Sequence, residues 1–154
     1  MKRLLVLMLA TVLLLTGCAV TRSYTVQDLT LTLPKAFTDL SQETYSENAA
    51  FLYGAGDCFL LGVREDKQTL LSHYPDLTLQ DFGTLVIAAH QLDCKLTIKD
   101  GFYCFTYTTG GITYLSVVLE GSNSFWTVQG YCASDKFAEN QNALWLYLTT
   151  AKVS

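Results

Sequence analysis

Cysteine is the residue type in this sequence with the widest choice of chemistry, and four of the five copies lie at Cys58, Cys94, Cys104 and Cys132. Outside the cytoplasm an even set of four permits two disulfides, with three pairings to choose from. None of the four belongs to a C-x-x-C motif, which a thioredoxin-like site or a zinc ribbon would need. The spacing therefore favours structural roles for these thiols over redox catalysis.

Two disulfides and four buried thiols are both compatible with this pattern. Cys94 and Cys104 flank Lys99-Asp100-Gly101, and a three-residue loop there would place Leu96 opposite Cys104, with Cys94 diagonal to it. A slight bulge would bring Cys94 and Cys104 within bridging range, and Cys58 and Cys132 would form the second pair. Cysteine is also a common small core residue, so the alternative is that all four remain thiols.

The two histidines, His73 and His90, add little to this chemistry. A zinc site needs three or four converging ligands, and a Cys/His nucleophilic pair needs a stabilised thiolate, whereas the four cysteines lie in predicted strands. The sequence has no G-x-S-x-G, H-E-x-x-H or Walker-type motif, and its acidic residues are dispersed. It predicts no catalytic residue, no metal and no cofactor.

The fifth cysteine, Cys18, follows a basic start at Lys2 and Arg3 and an uncharged apolar run from Leu4 to Leu15. This order is typical of a secretory signal peptide, and the run is shorter than the roughly 20 residues that span a membrane. The final residues, Leu15-Thr16-Gly17-Cys18, resemble the lipobox of bacterial lipoproteins. The resemblance implies cleavage between Gly17 and Cys18 and a diacylglyceryl group, with chains such as palmitate, on Cys18. The alternative is an ordinary signal peptide with an incidental cysteine.

These features predict three segments: a signal peptide over 1–17, a lipidated tether over 18–28 and a single domain over 29–153. The expected location is the bacterial cell envelope, with the domain lipid-anchored to the membrane and facing outside the cytoplasm. Loss of Lys2 and Arg3 would change the net charge from −4 to −6. Because the remaining basic residues are scattered singly, the sequence excludes nucleic acid as a partner. An acidic domain is not attracted to an anionic membrane surface, so the lipid group must anchor it there.

Alternating and apolar runs predict the first strands of the domain. Leu29–Leu33 alternates strictly and stops at Pro34, as a half-buried strand does. The polar segment 35–48 is expected to be loop with one short helical turn. Ala50–Tyr53 and Cys58–Val63 surround the glycine-rich segment 54–57 and predict a hairpin, which residues 64–67 close at the surface.

A helix is predicted to begin after Thr78. Thr78 can cap it, Asp81 three residues later completes a short-armed capping box, and Leu77 and Phe82 occupy the staple positions. The helix should extend to about Gln91. Its apolar face is formed by Phe82, Leu85, Val86 and Ala89.

Four strands are then predicted in succession, over Leu92–Ile98, Phe102–Thr108, Ile112–Glu120 and Phe125–Ala133, with glycine-containing turns between them. A last helix follows, capped by Ser134 or Asp135, and it carries Phe137, Leu144, Trp145 and Leu148 at helical spacing. Lys152–Ser154 is expected to be a short tail.

The order of strand, hairpin, helix, meander and helix predicts an α+β fold in which two amphipathic helices pack on an antiparallel β-sheet. This layout is similar to the PsbP-like fold, an α/β/α sandwich that recurs in bacterial lipoproteins of unknown function. The similarity spans about Leu29 to Val153 and rests on element order and on an aromatic-rich strand before a Trp-bearing helix. No functional residue follows from it.

Aromatic side chains are unusually frequent, with nine Tyr, eight Phe and two Trp. Those of the meander occupy both faces of their predicted strands: Phe102, Tyr103, Phe105, Tyr107, Tyr114, Phe125, Trp126 and Tyr131. Helices covering both faces of the sheet would bury both sets. The alternative is an exposed aromatic surface for a protein or glycan partner.

Taken together, the sequence predicts a membrane-anchored extracytoplasmic lipoprotein that acts as a non-catalytic binding or accessory module. The alternative is a small extracytoplasmic enzyme or thiol-redox protein that uses one of the four later cysteines.

Overall fold

A computed structural model describes residues 20–43 and 48–154 of the chain. The predicted signal peptide, the lipobox, the cleavage site and Cys18 lie outside the described residues. None of the helices within the described ranges is both long enough and apolar enough to cross a membrane.

A seven-stranded antiparallel sheet forms the centre of the described part of the chain, in the spatial order β3-β4-β5-β9-β8-β7-β6. Its strands are β3 (Thr38–Asp39), β4 (Ala49–Ala55), β5 (Cys58–Asp66), β6 (Thr97–Lys99), β7 (Phe102–Thr109), β8 (Ile112–Glu120) and β9 (Ser124–Ala133). The predicted hairpin is β4–β5, closed by the two-residue turn Gly56-Asp57. The predicted meander is β6–β9.

A second sheet contains β1 (Thr21–Val26), β2 (Leu29–Pro34) and β10 (Lys152–Val153), with β2 in the middle. The strand predicted from the alternation of Leu29, Leu31 and Leu33 is confirmed, since these three side chains are buried and their neighbours are not. The tether predicted over 18–28 is wrong for residues 21–28, because Thr21–Val26 pairs with β2 along its whole length. The predicted tail is likewise wrong at Lys152 and Val153, which pair with β2.

Three α-helices are present in the described residues: α1 (Lys67–His73), α2 (Leu79–Ala89) and α3 (Phe137–Leu148). Short 3-10 turns cover Ser41–Glu43 and Ser134–Lys136. The predicted cap of α3 is wrong, since the helix starts after Lys136 and no side chain caps it.

The start of α2 is as predicted. The Asp81 amide donates to Thr78 Oγ1 at 3.2 Å and the Thr78 amide donates to Asp81 Oδ2 at 3.1 Å, which completes the capping box. The helix ends at Ala89, two residues before the predicted end, because Gln91 adopts a left-handed backbone with φ 51°. Ala89, predicted on the apolar face, is exposed, whereas Gly83 is buried.

Helix α1 begins at Lys67, directly after β5, whereas the residues 64–66 that are predicted to close the hairpin continue β5. Asp66 ends β5 and caps the helix by accepting the Thr69 amide at 2.7 Å. Its residues are half-buried or exposed. The apolar periodicity of seven such residues is too weak to predict a helix from the sequence.

Two apolar cores lie on opposite faces of the large sheet. The α3-side core joins Trp126, Val128 and Leu60 to Leu144 and Leu148 of α3 and to the leucines of β2. The α2-side core is smaller and contains Phe82 of α2 with Phe105, Val118 and Phe125 of the sheet. The α+β class with helices on both faces is therefore confirmed, with one helix more than predicted.

The hairpin between β6 and β7 differs from the prediction in register. Its loop has two residues, Asp100 and Gly101, both with positive φ, so Thr97 rather than Leu96 faces Cys104. β6 is also confined to Thr97–Lys99, which leaves Cys94 outside the strand predicted over Leu92–Ile98. The geometric premise for a Cys94–Cys104 bridge is wrong for both reasons.

Gly62 gives a test of how tightly the α3-side core is packed. A Cβ at this position would lie 2.1 Å from Phe51 Cε1, and Phe51 is 1% exposed and stacked on Tyr53. Gly62→Ala is expected to lower the free energy of unfolding by about 1–3 kcal/mol, measured by urea denaturation.

The matched comparison is Gly62→Ala combined with Phe51→Leu. If steric conflict with the ring is the cause, the alanine costs less in the leucine background than in the wild-type background. Equal costs in both backgrounds would show that Phe51 is not the obstacle.

Candidate functional site

Four aromatic side chains form a row across the α2-side face of the large sheet, one from each of four neighbouring strands. The aromatic row consists of Phe59 (β5), Tyr131 (β9), Tyr114 (β8) and Tyr107 (β7). Its ring centroids are 5.3 Å apart between Phe59 and Tyr131, 5.0 Å between Tyr131 and Tyr114, and 4.8 Å between Tyr114 and Tyr107. All four side chains are half-buried.

Strand register aligns the row. The two-residue turn Gly110-Gly111 pairs Thr109 with Ile112 and hence Tyr107 with Tyr114. The next strand pairs place Tyr131 opposite Tyr114 and Phe59 opposite Tyr131. Side chains on directly paired residues stand about one strand spacing apart, which is the distance at which aromatic rings stack.

Neighbouring rings of the row pack face to face and cover each other. Neighbouring planes differ by 16°, 33° and 5° along the row, so the faces of Tyr131 and Tyr114 both contact a neighbouring ring. A sugar stacks on an open aromatic face, whereas the faces of the inner rings of this row lie against neighbouring rings. Burial raises the pKa of Tyr107 and Tyr131, and these phenols remain protonated. The row is therefore chiefly a packing feature of the sheet, and it is a poor platform for a glycan.

An open groove of about 1130 Å³ lies beside α2 on the same face of the sheet. Its floor contains Leu61, Val63, Thr127 and Gln129 of the central strands. We call it the α2-side groove. The other lining residues are Glu65, Leu70, Phe82, Leu85, Val86, the segments 89–93 and 106–109, and Tyr114.

Polar groups on the floor of the groove are held in place by hydrogen bonds. The Gln129 amide donates to Tyr107 Oη and to Ser116 Oγ, both at 3.0 Å. Ser116 is fully buried. These two bonds hold the Gln129 side chain in place in the lining of the groove.

The charge of the α2-side groove has one sign. Among the described residues that line it, the acidic side chains Glu65 and Asp93 are present and lysine and arginine are not. Both acids are exposed. Lys67 does not line the groove. It forms an ion pair with Glu120 and packs over the ring of Phe125, a residue of the α2-side core. The groove is thus suited to a cationic or neutral ligand and repels an anionic one.

One side of the groove is the outer edge of β7. Thr97–Lys99 of β6 pairs with Phe102–Cys104 only, so Phe105–Thr109 carries no partner strand on its outer side in the part of the chain that the structure describes. Successive strand residues point to opposite faces of a sheet, yet all four residues from 106 to 109 line the groove. The groove therefore follows the edge of β7 and not one face of it. This edge has no proline, charge or bulge, the features that usually protect an open strand.

The four predicted disulfide cysteines are free thiols in the structure. Cys58, Cys104 and Cys132 are buried in the α3-side core, whereas Cys94 packs half-buried against the α2-side core, on the other face of the sheet. Burial raises the pKa of Cys58, Cys132 and Cys94. A raised pKa keeps a thiol protonated, so none of these three cysteines is activated as a catalytic thiolate.

The two histidines do not join the cysteines. His73 ends α1, where Nδ1 lies 3.0 Å from the Thr69 carbonyl oxygen, and His90 follows α2 at the rim of the groove. Across residues 20–43 and 48–154, no three His, Cys, Asp or Glu side chains come together as metal ligands would. The arrangement offers a binding surface and no assembled nucleophile.

Sequence reasoning identified part of this site. It named Tyr107, Tyr114 and Tyr131 but not Phe59, and it missed Glu65, Gln129 and the open edge of β7. The two-residue turn at Gly110-Gly111 could have given the pairing of Tyr107 with Tyr114. The length of β6, which leaves the edge open, has no comparable mark in the sequence.

Comparison with known proteins gives the fold and no family. No protein-family model matches the sequence, and no curated protein matches it. The solution structure of cyanobacterial PsbP (CyanoP) from Synechocystis sp. PCC 6803 superposes with a TM-score of 0.59 at 15% identity, over 90% of this chain and 95% of that chain. LpqN of Mycobacterium tuberculosis, described as involved in cell envelope biogenesis, aligns over 88% of this chain and 91% of that chain at 10% identity, with a TM-score of 0.42. The first similarity supports the PsbP-like fold.

Proposed function

We propose that this chain is a lipid-anchored protein of the bacterial cell envelope whose domain acts outside the cytoplasm as a non-catalytic binding module. Cys18 is the anchor, and the α2-side groove receives the partner. The observation that carries the binding role is the groove itself, which combines apolar walls, a hydrogen-bonded Gln129 and an open strand edge.

Support for the anchor comes from the sequence. The order of basic residues, apolar run and Leu15-Thr16-Gly17-Cys18 is that of a lipoprotein signal peptide. Each methylene buried in a bilayer contributes about 0.8 kcal/mol, and stable anchoring takes more than one chain, as a diacylglyceryl cysteine provides. Thr21 starts the fold three residues after Cys18, so the domain would stand close to the membrane surface.

The alternative, an enzyme or thiol-redox protein, has less support. Catalytic thiols have lowered pKa values and lie in exposed, electropositive surroundings. Here burial raises the pKa of Cys58, Cys94 and Cys132, and the groove is lined by acids.

The anchor is tested with Cys18→Ser in a bacterial host. Wild-type protein is expected to incorporate labelled palmitate and to partition into the detergent phase, because diacylglyceryl transfer requires the Cys18 thiol. Cys18→Ser is expected to lose the label completely and to accumulate unprocessed or be released.

Cys94→Ser is the matched control, since it removes a half-buried thiol elsewhere in the chain and should leave labelling unchanged. Continued labelling of Cys18→Ser, or loss of label in Cys94→Ser, would contradict the assignment of the anchor.

A further inference from the structure

We propose that the α2-side groove binds an extended, basic peptide segment of another protein, which adds as a strand to the open edge of β7. This inference deepens the proposed binding role and rests on it. It names the chemistry of the partner: a β-strand main chain that carries lysine or arginine.

Backbone geometry identifies the groups that would receive the strand. Thr109 and Ile112 flank a two-residue turn, so they form a hydrogen-bonded pair with each other, and hydrogen bonding to β8 then alternates along β7. Thr106 and Thr108 therefore direct their amide and carbonyl groups away from β8.

The other end of β7 shows the same alternation. Phe102 and Cys104 are paired with β6, and the Thr97 hydroxyl reaches the Cys104 carbonyl oxygen at 3.1 Å. Thr106 and Thr108 continue the same outward-facing series and are exposed. Before Thr97 the chain leaves this line, since Cys94 and Leu96 pack against the α2-side core and residues 94–96 are not a strand. An added strand would lie beside Thr106 and Thr108 and supply the hydrogen-bond partners that this edge lacks.

The groove provides space for the side chains of such a strand. Alternate residues of an extended peptide point to one face of the sheet, and on the α2 side they meet Leu85, Val86 and Leu92 along the wall. The half-buried state of these three residues leaves apolar surface for contact.

Charge selects between the occupants that an open edge could accept. A second copy of this chain would bring its own Glu65 and Asp93 towards the same two acids, and like charges at short range oppose association. A segment with lysine or arginine satisfies both acids. The geometry of the aromatic row, whose faces are occupied, disfavours a glycan at the same site.

The test uses a fluorescent peptide of alternating valine and threonine with a lysine at each end, added to the mature protein, and measures anisotropy. We expect saturable binding that weakens at least tenfold in Thr106→Pro, because proline removes an outward amide and blocks the added strand. The same peptide with alternate amides N-methylated should not bind. The same peptide with glutamate instead of lysine at each end should bind at least tenfold more weakly. The double variant Glu65→Lys with Asp93→Lys should instead bind the glutamate-ended peptide more tightly than the lysine-ended one.

Ser23→Pro is the matched control. Ser23 is exposed on β1, an edge strand of the other sheet, and the pairing of Val26 with Leu29 across a two-residue turn directs its amide outward. This variant should bind the lysine-ended peptide like wild type.

Several results would overturn the proposal. It fails if the N-methylated peptide binds equally well, if Thr106→Pro and Ser23→Pro behave alike, or if no peptide binds at millimolar concentration. A dimer that Thr106→Pro dissolves would assign the edge to a second copy instead.

A photo-crosslinker in place of Thr108, in intact cells, separates this inference from the proposed function. Crosslinks to a partner without peptide binding would reject the extended strand and keep the binding role. Absence of both would reject the two together.

Discussion

Replacing Asp28 with alanine is expected to lower the free energy of unfolding by about 3 kcal/mol, because it leaves two fully buried donors without a partner. Asp28 Oδ1 accepts the Trp126 indole N–H at 2.9 Å and the Arg64 Nε–H at 3.3 Å, and Oδ2 accepts the Ser124 hydroxyl at 2.6 Å. Trp126 and Ser124 are 0% exposed. The carboxylate thereby ties the turn between β1 and β2 to β5 and β9 of the large sheet.

Urea denaturation measures this loss, and Asp76→Ala is the control, since Asp76 is an exposed acid in the loop before α2. The control should stay within about 0.5 kcal/mol of wild type. Equal stability of Asp28→Ala and Asp76→Ala would show that the two sheets are held together without this carboxylate.

The same group predicts a pH dependence. Burial acts to raise the pKa of Asp28, but hydrogen bonds from Ser124, Trp126 and Arg64 outweigh it and hold the pKa below the usual 3.8. A carboxyl with a lowered folded-state pKa contributes its full stabilisation above the unfolded-state pKa and loses it as the pH falls through the folded-state value. The stability difference between wild type and Asp28→Asn should therefore be constant near neutral pH and shrink below about pH 4.

Hydrogen bonds also lower the pKa values of the capping residues Asp66 and Asp81, and these two residues are present in both wild type and Asp28→Asn. Their contributions therefore cancel when the pH dependence of stability is compared between the two proteins, which leaves that of Asp28. A difference that stays constant down to pH 2 would contradict the hydrogen-bonded carboxylate.

Oxidation is expected to join Cys58 to Cys132 and to stabilise the fold by about 4.5 kcal/mol, the chain-entropy value for a loop of about 75 residues. The last β5–β9 pair is Phe59 with Tyr131, which places Cys58 opposite Cys132 one step further. Cys58 pairs with Ala55 across the turn to β4, so relative to β9 it occupies a non-hydrogen-bonded position, where Cα atoms stand about 4.5 Å apart. That separation lies within the range for a disulfide.

In the reaction the two thiols release two protons and pass two electrons to a disulfide oxidant, which is reduced to its dithiol. Peptide mapping without reductant, on protein exported from the cytoplasm, should find Cys58 linked to Cys132 and should find Cys94 and Cys104 alkylated. Denaturation with and without reductant measures the stabilisation.

The double variants Cys58→Ser with Cys132→Ser, and Cys94→Ser with Cys104→Ser, form a matched pair. Only the first should abolish the effect of reductant on stability. Alkylation of all four thiols in exported protein, or a bridge that includes Cys94, would contradict the pairing.

Local patterns were sufficient where the chemistry is local. The alternation of Leu29–Leu33 predicts a strand because side chains alternate between two faces, and Thr78 with Asp81 predicts the start of α2 because both bonds of the capping box lie within one turn. Asp100-Gly101 predicts a turn for the same reason. The predicted loop has three residues and the observed loop has two, so the strand register differs by one residue. Such a slip changes which residues face each other, as happened for Leu96, Thr97 and Cys104.

Pairing with another strand explains the two strands that local patterns missed. Lys152–Val153 is a strand because it pairs with β2 from the other end of the described chain, and the polar segment Thr21–Val26 is a strand because it pairs with β2 across a two-residue turn. Short polar segments gain strand structure from such partners and not from their own propensity.

The sequence by itself determined the fold class, the main strands and α2, and the predicted lipobox, since each depends on neighbouring residues or on their spacing. Only the tertiary structure decided that the aromatic row stacks on itself, that Cys58 rather than Cys94 faces a second cysteine, and that the edge of β7 is open beside acids. These features depend on which strands pair and where each pairing ends. That choice is set by burial and hydrogen bonding between residues far apart in the chain.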